Sequence, residues 1–200
     1  MVTNISTAVV TYLFNLIMLR LCGESGVAAI TIVLYGQFLF NALYMGFSMG
    51  VGPVISYNDG SRNVPLLRRI VRICLTFTVT ASAAITAAAL AASPVIVSIF
   101  TPPGTKTYEL ARTGFFLFSF NFIFAGLNIF SSAMFTSLNN GPVSAVLSFM
   151  RTFIFITLNI LILPEFIGVT GVWLAVPLAE FMAMFLSVYL IKTRWKRYFV

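Results

Sequence analysis

Glu180 is the one acidic residue inside a long apolar stretch of this sequence, about 12 residues before the basic tail that opens at Lys192. At about 1.5 Å per helical residue that places a carboxylate near the middle of a bilayer. A charge there has two uses: it relays a proton or cation, or it pairs with an opposite charge. Arg151, on a neighbouring apolar stretch and nearer one surface, has the reach to be that partner. Both readings stay open on the residues alone. Amides form the second group of candidates. At 100° per residue Asn4, Thr11 and Asn15 share one helix face, Gln37, Asn41, Tyr44 and Ser48 a second, and Asn121, Asn128 and Ser132 a third. Each polar group must find a partner or a water-filled cavity. Hydrogen bonds between helices, at roughly 0.6 to 2 kcal/mol apiece, would account for any one of them. Three aligned stripes point instead to a polar cleft lined by Asn15, Gln37, Asn41, Tyr44, Asn121 and Asn128. With Met and Phe around them, such groups suit an amphipathic organic ligand.

Other chemistry is poorly provided for. The sequence has no His, no G-x-x-x-x-G-K phosphate loop, no Cys spacing that suits a metal and no paired carboxylates, so nothing in it supports an enzyme, a metal centre or a cofactor. Cys22 and Cys74 are too few and too far apart for a disulfide framework.

The elements that position these residues follow from composition. Of 200 residues 60% are hydrophobic and only 8% charged, with a mean hydropathy of +1.00. A chain so poor in charge cannot cover its surface in water, where about 25% is usual, so it is an integral membrane protein. A net charge of +7 therefore speaks of topology rather than of nucleic acid. Six runs approach or exceed the roughly 20 residues a spanning helix needs, at about 2–21, 27–55, 70–92, 113–138, 143–163 and 169–191. The expectation is a single all-α bundle of six transmembrane helices over residues 1–200. The first run has no basic flank before it, so it reads as a span rather than a signal peptide, and a span directly after Met1 suggests a piece of something longer.

Turn chemistry separates the runs at Gly23–Gly26, Asn58–Gly60, Pro102–Gly104, Asn139–Pro142 and Pro164–Gly168. Gly50, Gly52 and Pro53 are expected to loosen the second helix near its end, and Pro177 to kink the last. Arg62, Arg68, Arg69, Arg72, Arg151, Lys192, Arg194, Lys196 and Arg197 fall on the side of both termini, and Arg20, Lys106 and Arg112 on the other. Nine against three predicts cytoplasmic termini in a multi-pass protein of the plasma (inner) membrane. The stretch VPLLRRIVRI sets Leu66, Ile70 and Ile73 against Arg68, Arg69 and Arg72, which predicts a segment lying along the headgroups before the third span. Gly46 and Gly50 form a G-x-x-x-G pattern that would admit a close helix, though chance glycines serve as well. The Ala-rich third span, with Thr76, Thr80 and Thr86, suits tight packing rather than a ligand wall. Asn4-Ile5-Ser6 fits the glycosylation pattern but lies inside a span and is discounted.

Three segments carry a family resemblance. GVGPVISYNDGSRN, residues 50–63, resembles the loop after the eighth helix of MATE (multidrug and toxic compound extrusion) transporters. FNFIFAGLNIFSSAMFTSLNNGPVSAVLSFMR, residues 120–151, is similar to their tenth helix, its turn and the start of the eleventh, and LPEFIGVTGVWLAVPLAE, residues 163–180, to the lead into the last. The resemblance implies one lobe, the C-terminal half, of a twelve-helix transporter with both termini cytoplasmic. It also implies a first lobe as partner, and export of amphipathic or cationic small molecules in exchange for Na⁺ or H⁺. Some members of that family use acidic residues in helices seven and ten for coupling; the corresponding first and fourth spans here hold no Asp or Glu. The alternatives are a flippase of lipid-linked precursors from the same superfamily and a non-transporting truncated membrane protein.

Overall fold

In lipid every backbone N–H and C=O must be satisfied within the chain, and apolar runs of this length can do so only as helices. The computed structural model describes residues 2–199, with the side chains of residues 6–195 and of Tyr198, and among them it is helical with no strand. In order the elements are α1 (Val2–Cys22), α2 (Glu24–Gly60), α3 (Val64–Phe100), α4 (Lys106–Phe118), a 3₁₀ turn (Ser119–Asn121), α5 (Phe122–Ser137), α6 (Gly141–Phe149), a π-helical turn (Met150–Phe155), α7 (Ile156–Ile167) and α8 (Val169–Phe199). The 3₁₀ turn joins α4 and α5 into one rod, and the π turn joins α6 and α7. Five helical stretches, Glu24–Gly60, Val64–Phe100, Lys106–Ser137, Gly141–Ile167 and Val169–Trp195, are long and apolar enough to cross a membrane, and Ser6–Cys22 is a shorter apolar one.

The joints are short and chemically specified. Gly23 turns the chain between α1 and α2 at φ 67°, and Gly168 separates α7 from α8 at φ 58°, both left-handed conformations that favour glycine. Beyond Gly168 the two helices touch backbone to side: a Cβ on Gly171 would lie 2.5 Å from the Leu163 carbonyl carbon. Asn63, Thr105 and Asn140 cap α3, α4 and α6 by accepting from the backbone N–H three residues on. Pro142 follows Asn140 at the first helical turn, as the Gly141-Pro142 step predicts.

Several local expectations change. The turn expected at Asn58–Gly60 lies after them: Asn58 Nδ2 donates to the Val54 carbonyl, which keeps α2 wound to Gly60, and Arg62 at φ 54° reverses the chain instead. Pro53, Pro164 and Pro177 all sit inside continuous helices, and the separation expected over Pro164–Gly168 falls at Gly168 alone. VPLLRRIVRI is not a separate segment. It is the first turns of α3, and its inward stripe is Leu67, Val71 and Cys74, while Leu66 and Ile73 face outward. That stripe continues through Thr78, Ser82, Thr86, Ala89, Ser93 and Val97, so α3 packs by one narrow seam rather than tightly all round, and Thr76 and Thr80 are exposed. A Cβ added at Gly46 or Gly50 would meet no atom within 4 Å, so among the described residues no helix packs on the G-x-x-x-G face. Close approaches occur at other glycines: Gly36 against Phe115, Gly114 against Trp173 and Gly126 against Tyr44.

The apolar interior divides into two clusters. One gathers Phe14, Met18, Val33, Phe115, Phe122 and Trp173 from α1, α2, α4, α5 and α8; the other gathers Ile55, Leu67, Val71, Phe130, Met134 and Leu147 from α2, α3, α5 and α6. On α5 the last fully buried member of the first cluster is Ala125 and the first of the second is Phe130, with Ile129 packed against the first; on α8 the last fully buried member of the first is Val176, and Leu186 packs against the second. Asn128 and Glu180 stand in those two intervals.

Candidate cavity and buried charge network

Glu180 is the fixed point of the interior. Only 2% of the residue is exposed, and both its oxygens are engaged: Arg151 Nε donates to Oε1 at 2.7 Å and to Oε2 at 2.9 Å, and Asn128 Nδ2 donates to Oε2 at 2.7 Å. Asn128 Nδ2 also donates to the Glu180 main-chain carbonyl at 2.9 Å, and Asn128 Oδ1 accepts from Ser187 Oγ at 2.8 Å. An ionised carboxylate in a dry interior is held only by such a set of partners, because desolvation costs several kcal/mol per ion. The network ties α5, the π turn and α8 together.

The π turn explains how Arg151 gets there. A π-helical turn takes in one extra residue relative to an α-helix and often accompanies functional sites. Met150–Phe155 is such a turn, and none of its residues is fully buried. Arg151 thus leaves the α6 helical path with its side chain 16% exposed, against 3% for that of Glu180.

Beside the pair lies a cavity of about 590 Å³. Thr7, Val10, Thr11 and Phe14 of α1, Leu34, Gln37, Phe38, Asn41, Met45 and Ser48 of α2, and Ile129, Ser132 and Thr136 of α5 form three of its walls. Ser144, Ser148, Arg151, Thr152 and Ile156 form the fourth, and Val176 and Glu180 of α8 the floor. α3 contributes nothing to it. Between the α5 and α6 walls hydroxyls are linked in series: Thr136 Oγ1 to Ser144 Oγ at 2.7 Å, Ser144 to Ser132 at 3.0 Å, and Ser132 to Ser148 at 2.7 Å. Asn41 Oδ1 and Ser48 Oγ on the α2 wall are buried without a hydrogen-bond partner among the described residues. A buried acceptor left so costs about 1–3 kcal/mol.

The residues singled out by the stripes are distributed unevenly. Gln37 and Asn41 line the cavity, and the Glu180–Arg151 pair forms. Asn128 lies one layer behind, holding Glu180. Tyr44 is buried with its hydroxyl on the Phe122 carbonyl at 3.0 Å, where the 3₁₀ turn ends. Asn121 is fully buried and folds back to the Phe118 carbonyl at 2.6 Å. Asn15 lines a different groove, with Tyr12, Leu19 and Val27. The side chain of Asn4 lies outside the described residues, as do those of Lys196 and Arg197. The hydroxyl series stands outside the amide stripes, its one sequence signal being the four-residue spacing of Ser144, Ser148 and Thr152 and of Ser132 and Thr136 on helical faces.

The profile of the MatE family matches residues 1–161. No match was found among curated proteins. Among solved structures, the outward-facing form of a multidrug resistance MATE family transporter of the MOP superfamily superposes with a TM-score of 0.87 at 19% identity, over 96% of this chain and 43% of that one. An inward-facing form of such a transporter gives 0.88 at 18% identity, over 96% and 45%. A MOP superfamily transporter from Pyrococcus furiosus Vc1, whose binding pocket is described as of reversed polarity, gives 0.87 at 18%, over 96% and 43%. The 200-residue chain thus spans less than half the length of the solved structures it matches.

Proposed function

The chain belongs to the MatE family of membrane transporters, and from that premise we propose that it forms the second six-helix lobe of an antiporter that exports amphipathic small molecules against an inward Na⁺ or H⁺ gradient. The observation that carries this reading is the cavity: about 590 Å³, with apolar side chains such as Phe38, Met45 and Ile129 interleaved with amides, hydroxyls and one paired guanidinium. That is the composition of a ligand site. A first lobe would close the open side, and the termini would lie in the cytoplasm of a plasma-membrane protein, as the distribution of Lys and Arg predicts.

The lobe's part in transport is to hold a binding wall of fixed shape. α5, the π turn and α8 are cross-linked by the network around Glu180, and near-equal TM-scores against outward-facing and inward-facing transporters support a body that keeps its form. Alternating access would then come from rocking against the other lobe. Cells making the protein, loaded with an amphipathic dye, test the reading. Efflux should stop when the Na⁺ or the H⁺ gradient is collapsed. Efflux indifferent to both gradients would refute antiport, and loss of lipid-linked precursor export on deletion, with no dye efflux, would replace it with a flippase.

A further inference from the structure

The guanidinium of Arg151 spends only its Nε on Glu180. Neither terminal nitrogen has a hydrogen-bond acceptor among the described residues, and Arg151 is part of the cavity wall. Glu180 is the reverse case: its oxygens are occupied by Arg151 and Asn128, and its side chain is 3% exposed. Both side chains border the cavity and the pair is neutral in sum, but its hydrogen-bonding capacity is uneven: the carboxylate oxygens are taken, while the terminal guanidinium nitrogens are not. Among the described residues no other acidic or basic side chain lines the space.

We propose that this cavity selects an amphipathic organic molecule bearing an anionic group, a carboxylate or a comparable oxyanion, and that the terminal N–H groups of Arg151 are the selecting donors. A planar guanidinium presents a fork that fits two acceptor oxygens at once, and such charge-assisted bonds are about twice as strong as neutral ones. The apolar body would lie along Phe38, Met45 and Ile129. A ligand carrying only a cation would meet the donor end of the pair and no free carboxylate. This rests on the cavity being the transported molecule's site, and it narrows the organic-cation class that the family resemblance implies to molecules that also carry an anion.

The test measures binding rather than transport. The intact protein in nanodiscs of zwitterionic lipid is titrated with three fluorescent probes that share one body: dansylglycine (anionic), its methyl ester (neutral) and dansylethylenediamine (cationic). Dansylglycine should bind at least about tenfold more tightly than the other two, the yield of a hydrogen bond to a charged group. Arg151→Lys is the decisive variant. Its ammonium can still neutralise Glu180, so thermal stability should stay near that of the parent, while the outward fork is lost and the preference should fall to near parity. Arg151→Gln/Glu180→Gln, which leaves no buried charge, should do the same. Displacement of dansylglycine by short-chain phosphatidic acid in preference to free carboxylates would make a lipid headgroup the source of the anion; the opposite order would make it a free solute. Equal binding of all three probes, tighter binding of the cation, or an anion preference that survives in Arg151→Lys would overturn the inference while leaving the transporter reading intact. Binding of none would overturn it and also count against this cavity as the transported molecule's site.

Discussion

Arg151→Met should destabilise the bundle far more than Glu180→Gln, and the asymmetry follows from where each partner sits. Removing Arg151 leaves a carboxylate that is 2% exposed and keeps only Asn128 as a donor. Breaking a buried pair in this way costs about 3–5 kcal/mol. At roughly 2–4 °C per kcal/mol for a chain of this length, the unfolding midpoint should fall by about 6–20 °C. Glu180→Gln is milder. Its amide oxygen can still accept from Arg151 Nε or Asn128 Nδ2, and the guanidinium, 16% exposed at the cavity, can turn to solvent. A cost of about 1–3 kcal/mol is expected, that of weakened hydrogen bonds. The double variant Arg151→Met/Glu180→Gln removes both charges and their desolvation together, so its stability should return to within about 1–2 kcal/mol of the parent. Midpoints of all four proteins, read by fluorescence-detected size exclusion after heating in one detergent, close a double-mutant cycle. If the double variant loses the sum of the two single losses, the pair is not coupled as described. If Glu180→Gln is the worse of the singles, the burial argument is wrong.

Cysteines at Gln37 and Asn41, introduced after replacing Cys22 and Cys74, should react readily with a water-soluble thiol reagent, whereas cysteines at Asn121 and Asn128 should stay protected; equal rates would remove the distinction between cavity wall and interior. Ser187→Ala should cost about 0.6 to 2 kcal/mol in the same thermal assay by freeing Asn128 Oδ1, and Asn128→Ala more, since it also uncovers Glu180; an identical loss in both would break that order. Gly171→Ala, whose Cβ would meet the Leu163 backbone at 2.5 Å, should destabilise by about 1–3 kcal/mol, while Gly46→Ala, with open space around it, should leave the midpoint unchanged. For the role of Glu180 the deciding readout is ion-coupled efflux per molecule of protein: Glu180→Gln that abolishes it at unchanged abundance marks a relay, and efflux that falls only in step with abundance marks a structural pair.

Much of the architecture is legible in the sequence because hydropathy and helix geometry act over whole spans. All six apolar runs correspond to helices or helical rods, and the buried pair formed by Glu180 and Arg151 follows from the cost of a lone charge in lipid. Local departures from α-helix were not legible. Asn121 and Asn128, seven residues apart, share a face on an ideal helix, but the 3₁₀ turn at Ser119–Asn121 overwinds the rod between α4 and α5 and sends the Asn121 side chain back to Phe118. The angle of Tyr44 on α2 points it to the cleft, yet Gly126 on the facing helix lets α5 come close enough to bury it. Whether a polar stripe faces a cavity or a neighbour depends on the size of the residue across from it, which no single helix encodes.

The π turn also makes the fifth span sensitive to length as well as to composition. Met150–Phe155 stores one residue more than an α-helix would need over the same rise. Deleting a single residue there would let the segment relax to an unbroken α-helix, hydropathy almost unchanged, with the two ends keeping nearly their present relative direction. Ser144 and Ser148 on one side and Asn159 and Ile160 on the other would stay where they are, while the residues of the turn itself would be re-aimed and Arg151 would swing off Glu180. A relative one residue shorter at this point would be expected to carry neither charge, so the gap in a pairwise alignment, rather than any substitution, would announce a differently equipped cavity.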